Sequence, residues 1–69
     1  MARTDALKEK ILKLGSKHKL GPILKFVDNS EDDVRMTAAI AMGMWPSYET
    51  GMALIPLLRD SSPMVRAAA

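Results

Sequence analysis

Two stretches of this chain repeat one pattern of apolar and polar residues at a nearly constant distance. In each stretch a short apolar run ends in an aspartate, first at Asp28 and again at Asp60. A polar turn follows and leads into a Val-Arg pair, which begins at Val34 in the first stretch and at Val65 in the second, with alanines close behind. Such a repeat predicts supersecondary units that stack, because a single unit cannot bury its apolar face alone.

The spacing of apolar residues and prolines predicts helices along the whole chain. Leu7, Ile11 and Leu14 lie at i, i+4 and i+7, on one face of a helix. Proline fits the first turn of a helix but interrupts its interior, so Pro56 is expected to kink the fourth helix or give it an irregular start. The predicted helices cover about residues 5–17, 21–28, 31–45, 47–59 and 62–69, and the predicted N-caps are Ser30, Ser47 and Ser62.

The composition restricts both the core and the classes of function. Only three residues are aromatic, so the core is expected to be aliphatic. The chain has no cysteine and one histidine, which argues against disulfides, thiolate metal sites and zinc sites built on histidine. No stretch approaches the roughly 18 apolar residues that a membrane span requires. We therefore expect a protein without metal or cofactor, and the lack of cysteine is typical of the cytoplasm.

The repeated residues resemble the HEAT repeat, in the short form of the phycobilisome-lyase-type HEAT-like proteins. Residues 28–43 and 57–68 carry this resemblance. It implies an all-α fold of the α-α superhelix type, a HEAT-like solenoid with about two repeats and an N-terminal capping helix, in a single unit over residues 1–69. It further implies a structural ladder, in which aspartates of one repeat pair with arginines of the adjacent repeat: Asp28, Asp60, Arg35 and Arg66.

Candidates for catalysis are few. His18 is the one candidate base for nucleophilic catalysis, but it lies in a predicted loop with no carboxylate identified to orient it. Asp32 and Asp33 could form a carboxylate pair, but acids after a capping serine are typical of the first turn of a helix, where they face the positive end of its dipole. We therefore expect no enzymatic activity.

The charges of the chain are distributed unevenly. Residues 1–27 carry seven basic and two acidic residues, whereas residues 28–69 carry three basic and six acidic residues. A solvated helix face is the common reason for a basic stretch, but such a stretch can also contact a partner or the phosphates of a nucleic acid. The candidate contacts are four lysines of this stretch and two aromatic residues that flank Pro46: Lys8, Lys10, Lys13, Lys17, Trp45 and Tyr48.

Stacked helical repeats present an extended surface, and binding is the function most typical of such an architecture. We therefore expect a non-enzymatic protein-binding scaffold, for a protein partner that the sequence does not identify. About two repeats are fewer than a stable array needs, so we expect a fragment of a longer array or a protomer of a homo-oligomer. Two alternatives stay open: nucleic-acid binding through the lysine-rich N-terminal face, or, as the resemblance implies, an accessory role in a bilin lyase.

Overall fold

Proline and glycine divide the chain into short helices joined by tight turns. The computed structural model describes the backbone of residues 3–69 and the side chains of residues 5–69. Its helices are α1 (Arg3–Ser16), α2 (Leu20–Leu24), α3 (Asp32–Met42), α4 (Tyr48–Leu54), a 3₁₀-helix (Ile55–Arg59) and α5 (Pro63–Ala68). No strand occurs within residues 3–69, so the prediction of an all-α fold is confirmed.

Several helix bounds differ from those predicted. α3 ends at Met42 rather than at residue 45, because the N–H of Met44 donates three residues back, to the carbonyl oxygen of Ala41, which is the pattern of a turn and not of an α-helix. α2 ends at Leu24 rather than at residue 28. The fourth predicted helix changes from α to 3₁₀ at Ile55, because the next residue is a proline, which has no N–H to donate and crowds the preceding turn.

One of the three predicted serine caps is made. The hydroxyl of Ser47 accepts a hydrogen bond from the N–H of Thr50 at 3.1 Å and so caps α4. Ser30 lies one residue too early, because the N-cap position of α3 belongs to Glu31, which makes no side-chain cap. Ser62 does occupy the N-cap position of α5, but its hydroxyl donates to the carboxylate of Asp32 at 3.0 Å instead.

α3 is the central helix of the fold. It packs against α1 and against α5, and both α2 and α4 contact it as well. The largest fully buried side chains come from four different helices: Ile11, Ile23, Met42, Val34 and Val65. Small buried residues in α3, Ala38, Ala39 and Ala41, allow its neighbours to approach closely.

The turn between α1 and α2 has an unusual backbone at His18. Its φ is 55°, in the left-handed region where glycine is normally found after a helix. The N–H of Lys19 donates back to the carbonyl oxygen of Leu14 at 2.9 Å and closes the end of α1. The imidazole of His18 stacks on the indole of Trp45, with ring centroids 4.8 Å apart and planes 16° apart. This contact ties the turn to the segment that follows α3.

Candidate binding surface

The two repeated stretches are joined by a bidentate ion pair. Arg35 of α3 donates from Nε to Oδ2 of Asp60 at 2.9 Å and from Nη2 to Oδ1 at 3.0 Å. The two side chains are only 14% and 11% exposed. The third contact of the guanidinium runs from Nη1 to the carbonyl oxygen of Asn29 at 2.7 Å, in the turn before α3. One arginine therefore connects its own turn to the turn of the following stretch.

This arrangement changes the ionisation of both partners. The hydrogen bonds from Arg35 lower the pKa of Asp60 below its ordinary value, and the backbone N–H of Ser62 lowers it further. In turn, the carboxylate raises the pKa of Arg35. A bidentate pair between guanidinium and carboxylate is among the stronger polar contacts available to a protein, and its geometry fixes the relative orientation of the two groups.

The turns before α3 and α5 have the same hydrogen bonds, centred on Asn29 in one and on Asp60 in the other. The N–H of Asn29 donates to the carbonyl oxygen three residues earlier at 3.2 Å, and so does the N–H of Asp60. The side-chain Oδ1 of each accepts from the N–H two residues later, Glu31 and Ser62 respectively, at 2.9 Å. We call residues 20–42 the first unit and residues 48–68 the second unit.

The resemblance implied that Asp28 and Asp60 both pair with arginines, but within residues 5–69 only Asp60 forms such an ion pair. Asn29, not Asp28, occupies the position equivalent to Asp60. Asp28 is exposed, and its carboxylate forms no ion pair with any side chain of residues 5–69. Aligning the Val-Arg pairs, rather than the two aspartates, is the sequence signal that identifies Asn29.

Arg66 is the counterpart of Arg35 in the second unit. Its Nη1 donates to the carbonyl oxygen of Asp60 at 2.7 Å, the same contact and the same distance as between Arg35 and Asn29. Its remaining donors form no hydrogen bond or ion pair with any side chain of residues 5–69, and the side chain is exposed. Arg66 therefore makes the same main-chain hydrogen bond as Arg35, but no carboxylate of residues 5–69 pairs with its other donors.

The lysines predicted as partner contacts do not form one uniform set. Lys8 is half-buried, and its Nζ lies 3.0 Å from Oδ2 of Asp33 and 3.9 Å from Oδ1 of Asp5. Its hydrogen bond lowers the pKa of Asp33 and raises the pKa of Lys8. Lys8 thus holds α1 against the start of α3. The other three lysines, Lys10, Lys13 and Lys17, are exposed, and the first two border a shallow groove on α1.

The two aromatic candidates have different surroundings. Trp45 is half-buried and packs against the core as well as against His18, so much of its surface is already covered. Tyr48, at the start of α4, is 78% exposed. Of this pair, Tyr48 is therefore the residue with an open surface for a partner.

Two apolar positions of the second unit are more exposed than their counterparts in the first unit, whereas Ile55 and its counterpart Leu24 are both exposed, to 51% and 41%. Leu58 is 52% exposed, whereas Val27, its counterpart in the first unit, is half-buried against the core. Ile23 is fully buried, whereas its counterpart Leu54 is only partly covered. The second unit carries further large apolar side chains that are about half exposed: Met52, Ile55 and Met64. These residues, with Leu58, are called the apolar face below.

The described part of the chain contains no group of three or more His, Cys, Asp or Glu side chains that could hold a metal ion. None of its helices is long and apolar enough to cross a membrane.

Comparisons with protein-family models, with curated proteins and with solved structures found no match. The functional argument therefore depends on the geometry of the chain itself.

Proposed function

We propose that this protein is a non-enzymatic scaffold of HEAT-like repeats that binds another protein through the apolar face of its second unit. The observation that carries the proposal is the difference between equivalent positions, where Leu58 is about half exposed and Val27 is packed. Large apolar side chains that stay exposed favour binding to a partner, since covering them releases the water around them. In a longer array or an oligomer, a further repeat or a second copy would cover the same face.

Two observations support the HEAT-like arrangement. The turns before α3 and α5 repeat the same hydrogen bonds at equivalent positions, as stacked copies of one unit would. The pair between Arg35 and Asp60 joins one unit to the next, as the ladder implied by the resemblance requires. α3, between the two turns, packs against both α1 and α5 and so has neighbours from before and after it in the chain.

The side chains that were considered for catalysis are all engaged in structural contacts. His18 stacks on Trp45. Asp33 pairs with Lys8, and Asp32 accepts a hydrogen bond from the hydroxyl of Ser62. These contacts join α1, α3 and the turn before α5, which supports a structural role for each of them.

The proposal is tested by photo-crosslinking. A photoreactive amino acid replaces Leu58 in one variant and the exposed Lys10 of α1 in a matched variant. We expect the first to crosslink a specific protein that the second does not. With that protein purified, Leu58→Glu should weaken binding by about tenfold or more, because a carboxylate in an apolar contact loses its hydration. If crosslinking occurs only from the α1 position, the apolar face is not the binding surface.

Nucleic-acid binding has one observation in its favour. The structure brings the indole of Trp45 onto His18, whose neighbours in the sequence are Lys17 and Lys19, so an aromatic group lies beside the lysine-rich stretch. Aromatic side chains among lysines are typical of surfaces that bind single strands. A labelled oligonucleotide should then bind with an affinity that falls steeply with salt and with Lys13→Gln and Lys17→Gln. Binding that is weak and unaffected by these substitutions would contradict this alternative.

A further inference from the structure

The central helix α3 and its neighbour α1 expose apolar side chains on one surface. Ile40 and Met44, about one turn apart, are each more than a third exposed, and so is Leu12 of α1. α3 packs against α1 and against α5, which come before and after it in the chain, and α2 and α4 contact it as well. The exposure of Ile40 and Met44 is therefore not that of a terminal helix that lacks a neighbour.

Contacts at two levels show that α1 and α3 run side by side in the same direction. Near the start of both helices, Nζ of Lys8 lies 3.0 Å from Oδ2 of Asp33. Near the end of both, Gly15 lies so close to Ala41 that a Cβ on the glycine would be 2.9 Å from the Cβ of the alanine. Equivalent turns of the two helices are therefore adjacent along their whole contact.

The exposed apolar side chains line the seam between these two helices. A Cβ on Gly15 would lie 2.8 Å from Sδ of Met44, so the methionine side chain lies against α1 at a place where α1 has no side chain. Leu12 precedes Gly15 by three residues and Ile40 precedes Met44 by four, about one helical turn in each case. Leu12, Gly15, Ile40 and Met44 together form what is called the α1–α3 groove below.

The surface beside this groove is basic. Four lysines of α1 and of the turn after it are exposed: Lys10, Lys13, Lys17 and Lys19. Along the α1 side the nearest acidic residue before them is Glu9, and along the α3 side no charged residue occurs between Arg35 and Glu49. An apolar groove with an excess of positive charge beside it favours a partner whose apolar side chains are flanked by carboxylates.

We propose that the α1–α3 groove binds an acidic amphipathic helix of a partner protein, which places apolar side chains in the groove and carboxylates beside the lysines of α1. Ile40 and Met44 have the i, i+4 spacing of about 6 Å that recurs on the face of any helix, so the side chains of a partner helix can pack between them. The flexible side chain of Met44 adapts to the shape of what binds. The proposal goes beyond the apolar face of the second unit and does not depend on it.

The shape of the groove favours a helix over an anionic membrane, although lysines would attract both. Apolar side chains enter a lipid surface where they project from the protein. Met44 instead lies along the seam, with its sulfur against Gly15. A seam lined by side chains of two parallel helices fits a convex ridge, and one face of a third helix has that shape.

The experiment uses the full chain and a designed probe peptide of about five helical turns. The peptide is based on alanine, with leucines along one face and glutamates on both sides of them. The methyl resonances of Ile40 and Met44 are followed in the isotope-labelled chain while unlabelled peptide is added up to about 1 mM, a concentration at which weak complexes are populated. We expect both resonances to shift and to saturate. Ile55, exposed in the second unit, is the internal control and should shift much less.

Two sets of variants identify the contact. Ile40→Gln should weaken binding by about tenfold or more, because an amide replaces an apolar group in the groove. Leu24→Gln, at a similarly exposed side chain of α2, is its matched control and should have little effect.

The second set reverses charge. Lys13→Glu with Lys17→Glu should weaken binding of the acidic peptide by about fivefold or more and strengthen binding of a peptide in which lysines replace the glutamates. Lys25→Glu, at an exposed lysine outside α1, is the control for net charge. All substituted side chains are exposed, so circular dichroism should show an unchanged helix content.

Three results would overturn the proposal: no shift at Ile40 and Met44 up to about 1 mM peptide, an equal shift at Ile55, or binding that the reversal of charge leaves unchanged. If vesicles containing phosphatidylserine broaden the resonances of Ile40 and Met44 while the peptide shifts neither, the groove contacts membranes instead. Shifts that depend on the concentration of the chain alone would place a second copy in the groove. If crosslinking from position 58 finds a protein while the peptide fails, the proposed scaffold function stands and the α1–α3 groove is not a binding site.

Discussion

At the scale of single residues, two helical glycines that look alike in the sequence have opposite surroundings. A Cβ on Gly15 would lie 2.8 Å from Sδ of Met44 and 2.9 Å from both Cβ and the carbonyl oxygen of Ala41, whereas a Cβ on Gly51 would meet nothing within 4 Å. We predict that Gly15→Ala destabilises the protein by about 1–3 kcal/mol, because α1 must move away from α3. Gly51→Ala should stabilise it by about 0.5–1 kcal/mol. Urea unfolding followed by circular dichroism measures both, and a change of the same sign in both would contradict this account.

The turn at His18 gives a second prediction at this scale. With a φ of 55°, its Cβ is strained in a way that a glycine would not be. Both His18→Gly and His18→Ala remove the stacking on Trp45, so the difference between them isolates the backbone. We predict that the glycine variant is more stable than the alanine variant by about 1 kcal/mol in thermal unfolding. Equal stability of the two variants would show that the turn relaxes when the stacking is lost.

At the scale of the helices, the caps differ in a way that mutation can detect. The hydroxyl of Ser47 accepts the N–H of Thr50, whereas Ser30 precedes the cap position of α3 and forms no such bond within the described residues. We predict that Ser47→Ala destabilises the protein by about 1 kcal/mol, because an N–H at the start of α4 loses its partner. Ser30→Ala is the matched control and should stay within about 0.5 kcal/mol of the wild type. A larger loss at position 30 would mean that the cap of α3 lies there after all.

The positions of the helices could be predicted from the sequence, but several of their ends could not. Proline marks a helix boundary by covalent geometry alone, so Pro56 indicated the irregular segment that the structure contains as a 3₁₀-helix. The end of α3 was predicted three residues too late, because the apolar residues beyond Met42 continue a helical pattern although the chain turns at Gly43. Periodicity reports which residues are apolar, whereas a helix end depends on which carbonyl oxygens find a donor.

At the scale of the whole molecule, the resemblance implied the type of contact between the units, an arginine–aspartate ion pair. It did not identify the residue of the first unit that is equivalent to Asp60. The resemblance to HEAT repeats implied ion pairs between aspartates of one unit and arginines of the next, and Arg35 binds Asp60 in the structure. Aligning the two aspartates places Asp28 opposite Asp60, whereas aligning the Val-Arg pairs places Asn29 there, and the turn hydrogen bonds show that Asn29 is the equivalent residue. The hydrogen bond from Ser62 to Asp32, which also joins the units, followed from no sequence pattern.

The ion pair between the units makes stability depend on pH in a defined direction. The pKa of Asp60 is lower in the folded protein than in the unfolded chain, where it is about 3.9. Between these two pKa values the unfolded state binds more protons than the folded state, so folding is favoured as the pH rises. The contribution is complete above the unfolded value and is lost as the pH falls through the folded value. Asp33, whose pKa Lys8 lowers, adds a second contribution of the same sign.

Asp60→Asn tests this directly, because the amide keeps an oxygen for the N–H of Ser62, as Asn29 does in the equivalent turn. It removes the charge and replaces the oxygen that accepts from Nε of Arg35 by an amide nitrogen, which cannot accept that hydrogen bond. We predict a lower urea midpoint than the wild type at pH 7, and a difference that shrinks as the pH falls below about 4, where the unfolded wild-type chain takes up a proton at this carboxyl. The difference is lost once the pH passes below the lower pKa of Asp60 in the folded state. Asp28→Asn removes a carboxylate that forms no ion pair within residues 5–69, so its midpoint should follow that of the wild type at every pH. If both variants lose the same stability at pH 7, the effect is one of net charge, and the bidentate contact with Arg35 does not hold the units together.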